Sequence, residues 1–481
     1  MLRFIQPQEI EPYLSDASQY HGQAEGVIVP ENEREVSEFL RDANSKKIPL
    51  TVSGGKTGLA GAAVPEGGWI LSSEKLSRVL EIRKSNKESW ARLEPAIHLK
   101  DLERALEAHG LFYPPDPTGP KAFLGGTLAT NASGPNSFKY GPTRSYIRRI
   151  RTVLADGTIL DLKRNQLRAR RDGILEIPAG PRKIKIQVPH YGVPSVKHAG
   201  GYFSGAGMDA VDLFIGSEGT LGVSTEIEVN LLPLPEEVIA FVVFFSKEED
   251  AWQFAREARE KGEARMLEYF DSGSLEFLRP DYPSIPKGAQ ACLFVEQEVE
   301  ETRQAAPATQ AWHQFFEKGG ALPQIWEGTT AGKREEFRNF RSALPLAVRE
   351  FLAEHRQIKV GTDTCVPHEC FEDLMNFHRR SVEKIGIQSV TFGHIGESHV
   401  HLNLLPANEE EAQKARALYP ELVQKALSLG GTFSAEHGVG KLKRRFLVEL
   451  LGEKAIEEMR AVKRAFDPNL ILGRGNLFEI K

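Results

Sequence analysis

Cysteine is scarce in this chain. Three thiols in 481 residues, Cys292, Cys365 and Cys370, cannot build a disulfide framework or a four-cysteine iron–sulfur cluster. Cys365 and Cys370 stand close enough in sequence to share an ion, but two unrelated thiols account for them better. Long apolar runs are also missing. No stretch of about 18 apolar residues exists, so no helical membrane span is expected. The start, Met1-Leu2-Arg3-Phe4, lacks the apolar core of a secretory signal. The reading is a cytoplasmic protein, with peripheral attachment to a membrane left open. Basic surplus is absent as well, since the net charge is −5, and this argues against nucleic acid as a partner. No Gly-Lys-Ser/Thr follows a glycine loop at the spacing a Walker motif needs.

What the chain does contain is glycine in organised loops. Ser53-Gly54-Gly55-Lys56-Thr57-Gly58-Leu59-Ala60-Gly61 follows the β-branched start Leu50-Thr51-Val52. Glycine leaves backbone N–H groups bare and permits φ > 0, so such a loop can wrap an anionic group, pyrophosphate above all. A plain strand–loop connection fits the same residues. Pro65 and Gly67-Gly68 stand where a helix would have to follow in a Rossmann fingerprint.

Periodicity organises the rest. Residues 26–30 read as a strand and 31–46 as a helix, with Val36, Phe39, Leu40 and Ala43 at helical spacing. Strands follow at 48–53, 69–71 and 76–82, which gives a small α/β lobe. A second lobe starts near Ser89. It has a strand at 90–95 and an amphipathic helix at 99–109 with Gly110 at its C′ position. Tyr113-Pro114-Pro115-Asp116-Pro117-Thr118 is too proline-rich for helix or central strand. Leu124-Gly125-Gly126-Thr127-Leu128-Ala129-Thr130-Asn131-Ala132-Ser133-Gly134 is read as a second loop of small residues. Tyr140-Gly141-Pro142-Thr143-Arg144 closes it with a fixed charge. Ala155-Asp156-Gly157-Thr158 turns a hairpin within 147–162. The eight Lys and Arg residues of 161–185 read as a solvated surface insertion, with a basic binding patch as the alternative. Gly216-Ser217-Glu218-Gly219-Thr220-Leu221-Gly222-Val223 is a third glycine loop. Pro233 and Pro235 mark a boundary. Beyond it, strands at 238–245 and 291–297 and helices at 247–261 and 304–318 suggest an antiparallel sheet covered by helices.

The three loops, in this order, resemble the FAD-binding flavoproteins of the vanillyl-alcohol oxidase and p-cresol methylhydroxylase class. The likeness extends to the subgroup of D-lactate dehydrogenase, D-2-hydroxyglutarate dehydrogenase and the glycolate oxidase flavin subunit, and runs from about residue 20 to the end. It implies an α+β fold: a two-lobed FAD-binding domain over 1–234 (lobes about 1–85 and 86–234), an α+β cap at 235–430, and a segment 431–481 returning to the FAD domain. It also implies roles in binding FAD. Ser53, Gly54, Gly55, Lys56, Thr57, Gly58 and Leu59 would hold the pyrophosphate. Gly125, Gly126 and the turn Asn131, Ala132, Ser133 and Gly134 would line the flavin and its ribityl chain, and Glu218 and Gly219 would lie beside the adenosine half. Pro115, Asp116, Pro117, Thr118, Thr127, Tyr140, Gly141, Thr143, Leu221, Gly222, Val223 and Asn476 would be further cofactor-binding residues. Ser53 stands where relatives often carry arginine. No histidine lies in the first loop, so FAD is expected to be non-covalent there.

Two further stretches carry chemistry. Ser389 to Leu405 reads as a hairpin around Gly396–Ser398. Centred between Glu397 and Ser398, it pairs His394 with His401, whose Cβ atoms would be ~5 Å apart, within reach of one divalent ion. His399 shares parity with His401. Packed or exposed histidines on a hairpin explain the spacing as well. Ser434-Ala435-Glu436-His437-Gly438 sets a carboxylate beside an imidazole in a glycine loop. By the family likeness, His394, His401 and Glu436 bind zinc or another divalent metal, His437 is the base, Asn403 touches substrate, and Arg341 pairs the substrate carboxylate. Glu397-Ser398-His399 replaces the usual Asp-Gly-Asn. Gly361 replaces a substrate-binding lysine, with Lys359 two residues away, which favours small acids. Gly473-Arg474-Gly475-Asn476 replaces Asn-Pro-Gly-Lys and sets Arg474 as a new charge at the flavin edge. The implied activity is FAD-dependent oxidation of a D-2-hydroxy acid, D-lactate or glycolate, to the 2-oxo acid. Electrons would pass to a quinone, cytochrome, electron-transfer flavoprotein or iron–sulfur partner rather than NAD. A non-redox transferase like alkyl-dihydroxyacetonephosphate synthase, or a flavin subunit of a larger electron-transfer complex, is the alternative. A homodimer is left open.

Overall fold

The structure, a computed structural model, describes residues 1–117, 119 and 121–480. Three sheets organise them. The first has the strand order Leu2–Phe4, Gly26–Val29, Trp69–Ser72, Leu50–Ser53, and its last three strands are parallel. The helix Glu33–Ser45 makes the crossover, as parallel neighbours require. Asn32 caps it by accepting from Glu35 N, and Val36, Leu40 and Ala43 are buried beneath it. The expected α/β lobe is therefore present. The strand Val79–Arg83, however, pairs with Ser89–Leu93 and so joins the second sheet.

That second sheet is antiparallel and runs Val79–Arg83, Ser89–Leu93, Val223–Pro233, Ile147–Val153, Ile159–Lys163, with Leu111–Phe112 on the end of Val223–Pro233. The Asp156-Gly157 turn forms as read, with Gly157 at φ +81°. One expectation fails here. Gly125 and Gly126 lie inside a helix, Leu124–Thr130, rather than a loop. Each helical glycine costs about 1 kcal/mol relative to alanine, which is why the residues read as loop. Burial of Leu124, Thr127 and Leu128 decides otherwise, and Asn131 ends the helix in the left-handed region at φ +49°. The basic stretch, read as a solvated surface insertion, carries regular structure. It contains the hairpin Ile174–Ala179/Arg182–Gln187. Ile177, Ile184 and Ile186 point inward while Lys183 and Lys185 face water, the two-faced alternation of a half-buried sheet.

The third sheet is the largest, with eight antiparallel strands. It runs Ala321–Gly328, Glu237–Phe245, Ala291–Val299, Met266–Phe270, Ser389–Gly393, His399–Leu404, Val360–Gly361, with Thr364–Cys365 also on His399–Leu404. Glu248–Lys261, Ala305–Lys318, Ala331–Glu354 and Phe371–Ile385 cover it. Residues after 431 leave this sheet. Phe446, Leu447, Ile456, Met459 and Phe466, from a helix Arg444–Phe466 broken at Gly452, share one core with the strands of the second sheet. No helix among the described residues is long and apolar enough to cross a membrane.

Candidate active site

The metal-type cluster forms, but by a different register. The hairpin pairs Phe392 with His401, so His394 is not opposite it. His394 instead follows the strand and opens a short 3-10 turn, Ile395–Glu397. Ser398 takes a left-handed φ of +54°, doing the work of a glycine, and sends the chain back. The two imidazoles converge all the same, with ring centroids 5.8 Å apart. Glu436 arrives from the C-terminal segment. Its Oε1 lies 3.3 Å from Nε2 of both His394 and His401.

Each ring is held from behind. His394 Nδ1 donates to Glu268 Oε1 at 2.5 Å, and His401 Nδ1 to the Thr362 carbonyl at 3.1 Å. Fixing one ring nitrogen this way aims the other into the site, as metal-binding histidines require. Glu268 also accepts from Arg341 Nε at 2.8 Å, so the candidate carboxylate clamp and a candidate ligand share one carboxylate. Arg341 is largely buried on the helix Ala331–Glu354. Burial opposes charge on this pair, but His394 and Arg341 hold Glu268 down to about 2, while Glu268 and Glu436 hold His394 up to about 9. Such mutual stabilisation is what a buried ion pair provides.

His437 stacks on His401 with centroids 5.0 Å apart and planes 6° from parallel. Burial drives it down to about 3, so it is a neutral imidazole at neutral pH. Its Nδ1 faces Asp363 Oδ2 at 3.6 Å and its Nε2 faces Glu436 Oε1 at 3.8 Å. Asn403 is buried on the same strand as His401, and Lys359 Nζ donates to its Oδ1 at 3.0 Å. A Cβ at Gly361 would come within 2.8 Å of that oxygen. The vacant position and the displaced lysine therefore meet at one residue.

Three residues that the sequence reading passed over complete the site. Asp363 is wholly buried. It accepts from His399 Nε2, Ser434 Oγ, the backbone N–H groups of Glu436 and His437, and Lys443 Nζ at 2.8 Å. Lys197 Nζ lies 2.9 Å from Glu397 Oε2 and 3.0 Å from Glu436 Oε2. Glu268 is the third. Their only sequence signal is an acid or base among apolar or small neighbours, as in Leu267-Glu268-Tyr269 and Thr362-Asp363-Thr364.

The donor set suits a divalent ion. His394, His399, His401 and Glu436 offer ligand atoms all within 4.8 Å of one another. His399 Nδ1 is buried without a hydrogen-bond partner among the described residues. Two or three imidazoles with one carboxylate fit zinc-class chemistry.

The glycine loops likewise fit a large cofactor. Ser53 Oγ is fully buried with no partner among the described residues. A Cβ at Gly54 or Gly58 would meet nothing nearer than 3.8 Å, and at Gly126 nothing within 4 Å, although at neighbouring Gly125 it would strike Pro95 at 2.6 Å. Lys56, at φ +56°, sends its ammonium to the Pro12 carbonyl at 2.8 Å. A Cβ at Gly134 would overlap the Asp116 carbonyl at 1.9 Å, which brings the proline-rich segment and the second loop region together. Pro115 is buried and Pro117 half-buried, whereas Thr118 lies outside the described residues. Thr127 and Ala132 are buried. Thr143 Oγ1 donates to the Ala132 carbonyl at 2.7 Å, and Ser133 Oγ to Glu436 Oε2 at 3.2 Å. Tyr140 gives its hydroxyl to Glu298 across the large sheet, and Gly141 turns at φ +76°. Leu221 and Val223 are core residues, Gly219 sits at φ +73°, and Gly222 packs where a Cβ would strike Thr152 at 2.4 Å.

The C-terminal segment locks these loops. Glu218 accepts Val439 N at 2.8 Å and Gly440 N at 2.7 Å, yet burial still pushes it up to about 7. Asn476 donates to the Ala62 and Glu218 carbonyls, both at 2.9 Å, and accepts from Lys441 Nζ at 2.6 Å. Arg474, read as a charge at the flavin edge, is exposed and bonds back to the Leu470 carbonyl at 2.9 Å. Gly440 has φ +50°, and a Cβ there would sit 2.0 Å from the Ala60 carbonyl. Gly440→Ala would add ~1–2 kcal/mol of left-handed strain to that overlap. The expected result is a fall in bound flavin per protein, read from visible absorbance, together with a lower Tm. Wild-type flavin content would remove the loop contact from cofactor retention.

Comparisons with known proteins agree with this architecture. Residues 24–163 match the family model "FAD binding domain", and residues 234–477 match "FAD linked oxidases, C-terminal domain". The glycolate oxidase subunit GlcD of Bacillus subtilis is 32% identical over 97% of this chain and 92% of its own length. A D-lactate dehydrogenase of Archaeoglobus fulgidus is 31% identical over 94% of this chain and 90% of its own. Among solved structures, p-cresol methylhydroxylase with substrate bound superposes with a TM-score of 0.72 at 16% identity, covering 99% of this chain and 94% of its own. Alkyldihydroxyacetonephosphate synthase gives 0.70 at 18% identity, over 98% and 81%. At such identities these two speak for the fold alone.

Proposed function

The chain belongs to the FAD-linked oxidase family, and from that premise we propose that it oxidises a small D-2-hydroxy acid, D-lactate or glycolate, to the 2-oxo acid. It is an FAD-dependent oxidoreductase. The observation that carries the substrate reading is the convergence of His394, His401 and Glu436 beside a neutral His437, with Arg341 tied to His394 through Glu268.

FAD, when bound, would supply a two-electron hydride acceptor, and a divalent ion would supply Lewis-acid character to the site. The loops at 53–59, 125–134 and 218–223 hold the FAD in this reading, and His394, His401 and Glu436 hold the ion. Arg341 pairs the substrate carboxylate with its planar fork, and Glu268 keeps that fork from swinging. Asn403, held by Lys359, donates to a substrate oxygen. His437 takes the hydroxyl proton at Nε2. Asp363, which accepts the His437 backbone N–H at 3.0 Å, positions the residue, and the stack on His401 fixes the plane of the ring. Domain boundaries at 234 and 430 follow from this division of labour: the cap supplies Arg341, Asn403 and both histidines, and the returning segment supplies Glu436 and His437. Electrons then leave to an acceptor other than NAD.

Anaerobic addition of D-lactate, glycolate and D-2-hydroxyglutarate, each beside its L form where one exists, tests this directly. The flavin band is expected to bleach with D-lactate or glycolate and to stay with L-lactate. Stripping the protein with a chelator should slow the bleaching at least ~100-fold without releasing flavin. A flavin band that none of these acids bleaches would refute the substrate reading.

A further inference from the structure

His399 opens the strand His399–Leu404, two residues before His401 and on the same face. The rings are 4.6 Å apart and nearly perpendicular. His394 lies on the other side, with its ring centroid 5.3 Å from that of His399. The side chain is fully buried. Its Nε2 meets Asp363 Oδ1 at 3.1 Å, and an ionised carboxylate only accepts, so the ring hydrogen sits on Nε2. Nδ1 is left with a bare lone pair and no hydrogen-bond partner among the described residues. That lone pair faces Glu436 Oε2 across 4.0 Å, too long for a hydrogen bond and the wrong sign for an attraction. Lys197 Nζ, 3.0 Å from Oε2, and the Ser133 hydroxyl serve the carboxylate, so the group left unsatisfied is the His399 Nδ1 lone pair, and a buried acceptor without a donor or cation costs stability.

We propose that His399 is a fourth protein ligand of the divalent ion, joining His394, His401 and Glu436 through Nδ1. This rests on the metal reading of the preceding section and adds a residue and a consequence to it. Asp363 stands behind His399 as Glu268 stands behind His394, so both rings carry the carboxylate backing that raises ligand basicity. A set of three imidazoles and one carboxylate selects a zinc-class transition ion over magnesium or calcium, which prefer oxygen donors.

X-ray absorption at the metal edge of the holoenzyme counts imidazole ligands. Three are expected in the wild type, two in His399→Asn, and three in His437→Asn. His399→Asn should also weaken metal affinity by about 100-fold or more, beyond the effect of losing an outer partner, with FAD content retained. Two imidazoles in the wild type would overturn the inference alone. So would wild-type count and affinity in His399→Asn, or loss of the third imidazole in His437→Asn instead. An FAD-loaded wild type that takes up no divalent ion would overturn the metal reading, and this inference with it. Should His399→Asn fail to fold, the wild-type and His437→Asn counts still decide.

Discussion

Glu436→Gln is expected to lower turnover by at least ~10³-fold, about 4 kcal/mol of barrier, while leaving FAD in place. Among the described residues, the Glu436 carboxylate is the anion that His394 and His401 both face. Oε1 faces His394 and His401, and Oε2 faces Lys197 and Ser133. Ionisation of Glu436 is held well below the ordinary glutamate range: burial opposes it, but Lys197 and His394 win. Glutamine keeps the shape and loses the charge. Its amide would turn two hydrogens either toward the Lys197 ammonium, which needs an acceptor, or toward the imidazole side, where a lone pair is needed to hold a cation. Divalent ion should therefore be lost, with Kd raised about 100-fold or more. Single-turnover bleaching by substrate, flavin content and metal content measured on one preparation separate the effects. Near wild-type bleaching with full metal content would remove Glu436 from the chemistry.

Asp363→Asn should lower stability by ~3–5 kcal/mol while leaving every proposed ligand in place. Lys443 is buried and pairs with Asp363 at 2.8 Å, so the variant strands an ammonium in the core. The backbone N–H groups of Glu436 and His437 donate to its two oxygens, one of which would become an NH₂. The Asp363 carboxyl titrates well below its usual range: burial opposes this, but the buried Lys443 ammonium and the hydrogen bond from His399 prevail. A depressed folded-state pKa means that its contribution is complete above the unfolded value of ~4 and is lost as pH falls through the folded one. At neutral pH the variant should show the full loss, seen as a lower denaturant midpoint and Tm. A midpoint within experimental scatter of the wild type would mean that the network tolerates a neutral centre.

Much of the site was legible because its residues advertise chemistry locally. Glu436-His437 in a glycine loop and three histidines in eight positions (394–401) stand out in any background. The pairing of His394 with His401 was inferred through a two-stranded register that does not occur; the 3-10 turn inserts residues that alternation cannot count. The convergence survives because Glu436, from another part of the chain, sets the meeting point. Asp363, Glu268 and Lys197 were illegible for a different reason. Each is a single charge whose partners lie 36 to 239 residues away in sequence, and nothing local distinguishes it from a solvated residue. The helix at Leu124–Thr130 was hidden by its two glycines, since tertiary burial of two leucines outweighed their propensity. The hairpin within the basic stretch was hidden by counting charges without their alternation.

The clasp of Asn476 on the Ala62 carbonyl spans 414 residues of chain. At a synthesis rate of about 5–20 residues per second, roughly 20–80 s separate translation of the first glycine loop from translation of the residue that closes over it. For that interval the growing polypeptide carries the first sheet without the C-terminal residues that bond to Leu50 and close over the loop. If the loops hold FAD as proposed, its capture is expected to await that segment. A product released by premature termination anywhere before residue 476 should be colourless, however well its first sheet has folded.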